Sequence, residues 1–155
     1  MKTVYGCNSD AKVEGFWSMY LYGPNGALKD ERHGKNVVTT VGKEFLASFL
    51  KSAAAAASTF TCKYIAIGSD ATAEAVGNTT LGTELARHTG TVSYVSGAIF
   101  QVTATFATGV GTGSIYEYGL FSSSTAGTMF SRDTESLITK GANDTLTVTT
   151  RVTLS

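Results

Sequence analysis

The stretch Leu146-Thr147-Val148-Thr149-Thr150-Arg151-Val152-Thr153-Leu154 decides the fold. Leu146, Val148, Val152 and Leu154 face one way along an extended chain, and Thr147, Thr149, Arg151 and Thr153 face the other. A period of two marks a β-strand with one face in a core and one in solvent. The same alternation runs through Ala98–Phe106. Ala98, Phe100, Val102, Ala104 and Phe106 share one face, and Ile99, Gln101, Thr103 and Thr105 share the other. Ser96-Gly97 separates that segment from Thr91–Val95 as a hairpin turn. Further strands are expected at Tyr64–Ile67, ending at Gly68, at Ser114–Phe121, and at Thr128–Arg132 after the turn Thr125-Ala126-Gly127.

Nearer the start, Phe16-Trp17-Ser18-Met19-Tyr20-Leu21-Tyr22 reads as an aromatic strand closed by the turn Gly23-Pro24-Asn25-Gly26. Both of its faces are apolar or aromatic, so either it is buried on two sides or one face is an interface. Residues 1–15 are small and polar and read as an N-terminal arm. Residues 27–38 show no clear period beyond a short strand at Asn36–Val38. Ser69–Thr80 reads as a loop and Leu81–His88 as an irregular turn. One helix is expected, about Val41 to Ala57, after the capping types Thr39 and Thr40. Phe45, Leu46, Phe49, Leu50, Ala53, Ala54 and Ala57 form its apolar stripe, and Glu44 falls in its first turn.

Seven or eight strands at spacings of roughly ten residues, with one helix, predict a mainly β protein, an antiparallel β-sandwich, as a single domain over residues 16–155. A parallel α/β fold would need a helix after nearly every strand.

Composition narrows the function. In 155 residues, 12 basic side chains balance 12 acidic ones. That lacks the basic excess of a nucleic-acid binder. Only 15% of residues are charged, and low charge weakens repulsion between copies, which suits life inside an assembly. Residues 1–15 carry no apolar core of a secretory signal, and no stretch is long enough to span a membrane. Cys7 and Cys62 form no CxxC pattern and are expected as free thiols rather than zinc ligands.

The search for a reactive constellation points to no enzyme. His33 and His88 stand in polar stretches without patterned partners and are expected as solvated loop histidines. The serines lack the GxSxG elbow. Gly109-Val110-Gly111-Thr112-Gly113 has no following helix to offer a phosphate, so it reads as a hairpin or bulge connection. Asp70 and Glu74 supply too few oxygens for calcium. Glu117 lies in Ile115-Tyr116-Glu117-Tyr118-Gly119-Leu120-Phe121, where strict alternation sets it on the face of Ile115 and Phe121. A carboxylate there needs a partner, and Arg87 and Arg132 are the candidates for a structural salt bridge.

The segments YIAIGSD (64–70), TLGTELAR (80–87), IYEYGLF (115–121), GTMFSR (127–132) and ITKGANDTLTVTTRVTL (138–154) carry a resemblance, by order and spacing, to small virion proteins of tailed phages. NVVTTVGKEFLASFL (36–50) also fits, while residues 1–22 lie outside it. The resemblance implies a jelly-roll-like sandwich serving as a capsid cement (decoration) protein, or as part of a tail or fibre. Such a protein would be made in the host cytoplasm and sit on the capsid exterior as a dimer or trimer. It would bind the major capsid protein and use no cofactor, nucleic acid or membrane. Expected contacts are Tyr5 in the arm and Phe16, Trp17, Tyr20 and Tyr22. A second class is a tail-fibre or adhesin domain that recognises a host glycan through tyrosines and Trp17. A small hydrolase is the third, and no constellation supports it.

Overall fold

The computed structural model describes residues 12–51 and 61–155. Tyr5, Cys7, most of the expected arm and the alanines at 53, 54 and 57 lie outside that range, as do the side chains of Phe49 and Leu50. The elements are β1 (Val13–Tyr22), β2 (Leu28–Val38), α1 (Thr40–Lys51), β3 (Tyr64–Gly68), β4 (Glu84–Thr89), β5 (Thr91–Ser96), β6 (Ile99–Phe106), β7 (Gly113–Phe121), β8 (Met129–Lys140) and β9 (Thr145–Leu154). The protein is mainly β and antiparallel, as alternation predicts. Hydrogen bonding joins all nine strands in one curled sheet, a half-barrel, in the order β4-β3-β7-β8-β2-β1-β9-β6-β5. The sequence reading expected a jelly-roll-like sandwich of separate sheets.

The curl follows from two corners. β2 is long enough to pair with β1 along most of its length and with β8 through its last two residues, Val37↔Arg132 and Val38↔Ser131. That short ladder joins a five-stranded limb (β5-β6-β9-β1-β2) to a four-stranded limb (β8-β7-β3-β4). The other corner is Gly90, the single residue between the edge strands β4 and β5. Its amide donates to the Lys63 carbonyl at 2.6 Å, and a Cβ there would come within 2.5 Å of Val102 Cγ1. Only glycine lets the chain turn so close to the core.

Between the limbs lies the core. Trp17, Met19, Leu21, Val102, Phe106, Leu146, Val148 and Val152 meet Ile65, Ile67, Ile115, Leu120, Phe130 and Ile138. Rings pack from limb to limb, Trp17 on Tyr118 at 5.2 Å and His88 on Phe106 at 5.3 Å between centroids. At one end the β6–β7 and β8–β9 connections both cross between limbs. The Gly109 amide donates to Ala142 (2.8 Å), and the buried Lys140 ammonium donates to the carbonyls of Ala107 (2.9 Å) and Asp144 (2.7 Å).

Helix α1 starts where the capping types stand: the Gly42 amide donates to Thr39 Oγ1 at 3.0 Å. Gly42 then presses against β8, where a Cβ would meet the Phe130 carbonyl at 2.2 Å. Phe45 and Leu46 cover the core.

Several expectations change. The strand expected from Phe16 begins at Val13, so residues 13–15 of the expected arm belong to β1. The short strand expected at Asn36–Val38 extends back to Leu28, and residues 84–89 are a strand rather than an irregular turn. His33 and His88 therefore sit in β2 and β4, not in loops, and His88 packs on the core. The segment from Gly109 to Thr112 is part of a crossover that ends as β7 begins at Gly113, because β6 and β7 are not neighbours in the sheet. Glu44 lies one residue past the first turn of α1, which carries no acid. Leu154 keeps its inward parity but is 41% exposed.

Candidate functional site

Glu117 is fully buried, and its surroundings explain how a carboxylate survives there. The β7–β8 register slips between Ile115 and Glu117, where Tyr116 of β7 lies opposite three residues of β8, 135–137, so the bulge is carried by β8. Strict alternation therefore fails at this point. Ile115, Tyr118 and Leu120 join the central core, whereas Phe121 joins a smaller cluster with Ala66, Leu81 and Met129 on the opposite face. Glu117 shares that second face with Phe121 and not with Ile115. Arg132 Nε and Nη2 reach Glu117 Oε2 at 3.0 and 2.8 Å. The amides of Asp70 (3.3 Å), Gly82 (3.0 Å) and Thr83 (2.9 Å) donate to the same carboxylate. Arg132 is spent as well, on the Thr72 carbonyl (3.0 Å) and Asn78 Oδ1 (3.1 Å).

The pair thus pins the segment 70–83 against the sheet. Charges that find this many partners hold structure and offer no lone pair to a substrate. Asp70 accepts from the Thr72 amide and hydroxyl, which holds its carboxyl below the usual range, and Glu74 accepts from the Thr134 hydroxyl. No group of three His, Cys, Asp or Glu side chains capable of holding a metal ion occurs among the described residues.

Arg87 was expected as a possible partner of Glu117, and the structure places it elsewhere. Its guanidinium binds Glu84 (2.6 Å) and the carbonyls of Ser123 (3.0 Å) and Ala126 (2.7 Å), and stacks on the Phe121 ring at 3.7 Å. It closes the β7–β8 turn. Cys62 is a free thiol that burial pushes up to about 12, the reverse of an activated nucleophile.

A second feature was not read from the sequence. Past Val37, β2 and β8 diverge, and Arg32 bridges the gap to the carbonyls of Ser136 (3.1 Å) and Leu137 (3.3 Å). Along this seam Trp17 Nε1, Asn36 Oδ1, Tyr118 Oη and Asp133 Oδ2 are buried without a protein hydrogen-bond partner. Burial first, then the nearby Glu74 and Glu135 carboxylates, push Asp133 up to about 7, and burial raises Tyr118 well above the phenol range.

The third feature is the outer face of the five-stranded limb. Trp17 was expected at an interface together with Phe16, Tyr20 and Tyr22. The strand divides them: Trp17 is 3% exposed and belongs to the core, whereas Phe16, Tyr20 and Tyr22 are half-buried on the outer face. There Phe16 lies between Lys35 on β2 and Arg151 on β9. Ser18 lies between His33 and Thr149, and Tyr20 between Glu31 and Thr147. Serine is small, so Phe16 and Tyr20 stand as walls about 13 Å apart on either side of it. The resulting groove of about 660 Å3 is lined by Phe16, Ser18, Tyr20, His33, Lys35 and Arg151, with Thr149, Thr153 and Ile99. The aromatic content of β1 was legible in the sequence, but not which face each ring takes. The cations were not, because they come from β2 and β9, and only the strand order sets them beside β1. Comparison with protein-family models, curated proteins and solved structures returned no match, so geometry alone supports a functional reading.

Proposed function

We propose that this chain is a structural protein of a phage virion that binds and stabilises the capsid, acting by contact area rather than turnover. The observation that supports it is strand β5. Among the described residues it pairs only with β6, all six of its residues are exposed, and Val92, Tyr94 and Val95 stand 50, 74 and 45% exposed. A free, uncharged, apolar strand edge is a liability unless a neighbour covers it. In this reading β5 and the outer aromatics Phe16, Tyr20 and Tyr22 contact the major capsid protein and further copies of the chain, as a dimer or trimer on the exterior of the shell. Many such contacts, multiplied by symmetry, hold the lattice. The test is to mix purified protein with empty expanded capsids of the encoding phage and with tail preparations, and to sediment each. Co-sedimentation with capsids, and capsids that break at lower temperature when no protein is added, are the expected results. Protein left in the supernatant would end the cement reading.

A second reading, a tail or tail-fibre domain that recognises a host surface, is favoured by the groove over Ser18. Aromatic walls beside hydroxyl groups suit a glycan better than a flat protein contact. Sedimentation with host cells rather than capsids distinguishes the two.

A further inference from the structure

We propose that the groove between Phe16 and Tyr20 is a binding site for an acidic sugar, a pyranose bearing one carboxylate; the proposal rests on the host-recognition reading for its biology. Its volume of about 660 Å3 falls within the roughly 300–1,000 Å3 usual for small-molecule sites. Its chemistry is divided between three strands. From β1 come the two ring faces and the Ser18 hydroxyl, from β9 the Thr149 and Thr153 hydroxyls and Arg151, and from β2 His33 and Lys35.

Each part fits one part of such a ligand. The C–H face of a pyranose lies against an aromatic ring, whose face carries negative charge density. A row of hydroxyl groups, each both donor and acceptor, matches a polyol. The Arg151 guanidinium matches a carboxylate in two parallel hydrogen bonds.

The charge pattern sets the number of anionic groups at one. Lys35 lies 3.8 Å from Glu14, and His33 lies 3.9 Å from Glu31, so each has an acid beside it at the rim. Arg151 has no acid. Only its Nε is engaged, with Gln101 Oε1 at 2.7 Å, and its two terminal nitrogens have no partner among the described residues. The groove proper therefore presents one uncompensated cation, fenced by Glu14 and Glu31. A nucleic-acid strand carries a charge at every nucleotide and needs a cationic track, which the two acids interrupt. An extended peptide would bind along a free strand edge, and both edges of β1 and of β9 are already paired.

The test is a titration of the full chain, followed by amide chemical shifts, with glucuronic acid and N-acetylneuraminic acid. Glucose, N-acetylglucosamine and an oligothymidylate are the comparison ligands. The expected result is millimolar binding of at least one acid, with shifts centred on Ser18, Thr149 and Arg151, and at least tenfold weaker binding of its neutral counterpart. Arg151→Ala should weaken the acid by roughly tenfold, the usual loss for a charged hydrogen bond. Thr105→Ala, on the same face but outside the groove, should leave affinity unchanged. Both variants should melt within a few degrees of the parent, and a variant that does not fold is replaced by Arg151→Gln. Failure of both acids to bind, equal binding of neutral sugars, stronger binding of the oligothymidylate, or unchanged affinity in a folded Arg151 variant would each overturn the proposal. Host-cell binding is read separately. Cells bound without any acid binding sink the proposal and keep the recognition reading, and the reverse outcome does the opposite.

Discussion

Glu117 takes hydrogen bonds from three backbone amides and from Arg132, so changing it reaches the loop as well as the ion pair. Glu117→Gln should leave a folded protein that is less stable by about 2–4 kcal/mol, because the Arg132 guanidinium stays buried without its counter-charge. Arg132→Ala should cost about 3–5 kcal/mol. In urea unfolding the double variant should lose much less than the sum, and an unchanged midpoint in Glu117→Gln would rule out the pairing. Arg87→Ala, which removes an ion pair whose Glu84 partner is part-exposed, should cost about 1–3 kcal/mol in the same urea melts. Asp133 gives a pH dependence of defined sign. Its folded carboxyl titrates at about 7 against an ordinary 3.8, so between those values the native state keeps a proton that the unfolded chain has released. Stability from this group is complete below about pH 4 and lost as pH rises through 7. Asp133→Asn should therefore raise Tm by a few degrees at pH 8, roughly 1 kcal/mol, and change it little at pH 4. Equal shifts at the two pH values would show that Asp133 is ionised throughout. The sequence exposed Glu117 as a buried acid, because its neighbours are apolar. It did not distinguish Arg132 from Arg87, because that choice depends on the β8 bulge opposite Tyr116 and on the β7–β8 register.

Among the elements, those with a clean apolar period were legible: β6, β9, β3 and the hairpin at Ser96-Gly97. β2 was not, because its inward face carries Asp30, Arg32, Gly34 and Asn36 where a strand usually carries core residues. It is held by pairing with β1 and by polar bonds to β8, so tertiary context overrides its weak propensity. β4 was missed for a related reason: its apolar residues are few, and its packing comes from His88 and from pairing with β3. The corner between β4 and β5 depends on one residue. Gly90→Ala should destabilise the protein by about 1–3 kcal/mol, since the added methyl meets the buried Val102. Combining it with Val102→Ala should cost less than the two separate losses added together. Strict additivity in urea melts would mean that the corner relaxes elsewhere.

For the whole molecule, the exposed β5 edge is the feature that most directly predicts behaviour in solution. Val92→Lys should shift sedimentation toward a single-copy species without changing the melting midpoint by more than about 0.5 kcal/mol, because a lysine on an edge strand blocks pairing with a neighbour. Identical sedimentation of variant and parent would remove β5 from any self-contact. Taken alone, the sequence determined that the chain is mainly β and antiparallel, that α1 begins at Thr39-Thr40, and that Glu117 needs a partner. Each of these follows from side-chain period or from the cost of burying a charge, and both act between residues close in the chain. Only the tertiary structure decided that the strands form one curled sheet, that Trp17 is core while Phe16 and Tyr20 flank a groove, and that Arg151 stands beside them. Those outcomes depend on strand order and register, which arise from pairing between residues more than a hundred positions apart, such as Phe16 with Arg151. No local pattern encodes that distance.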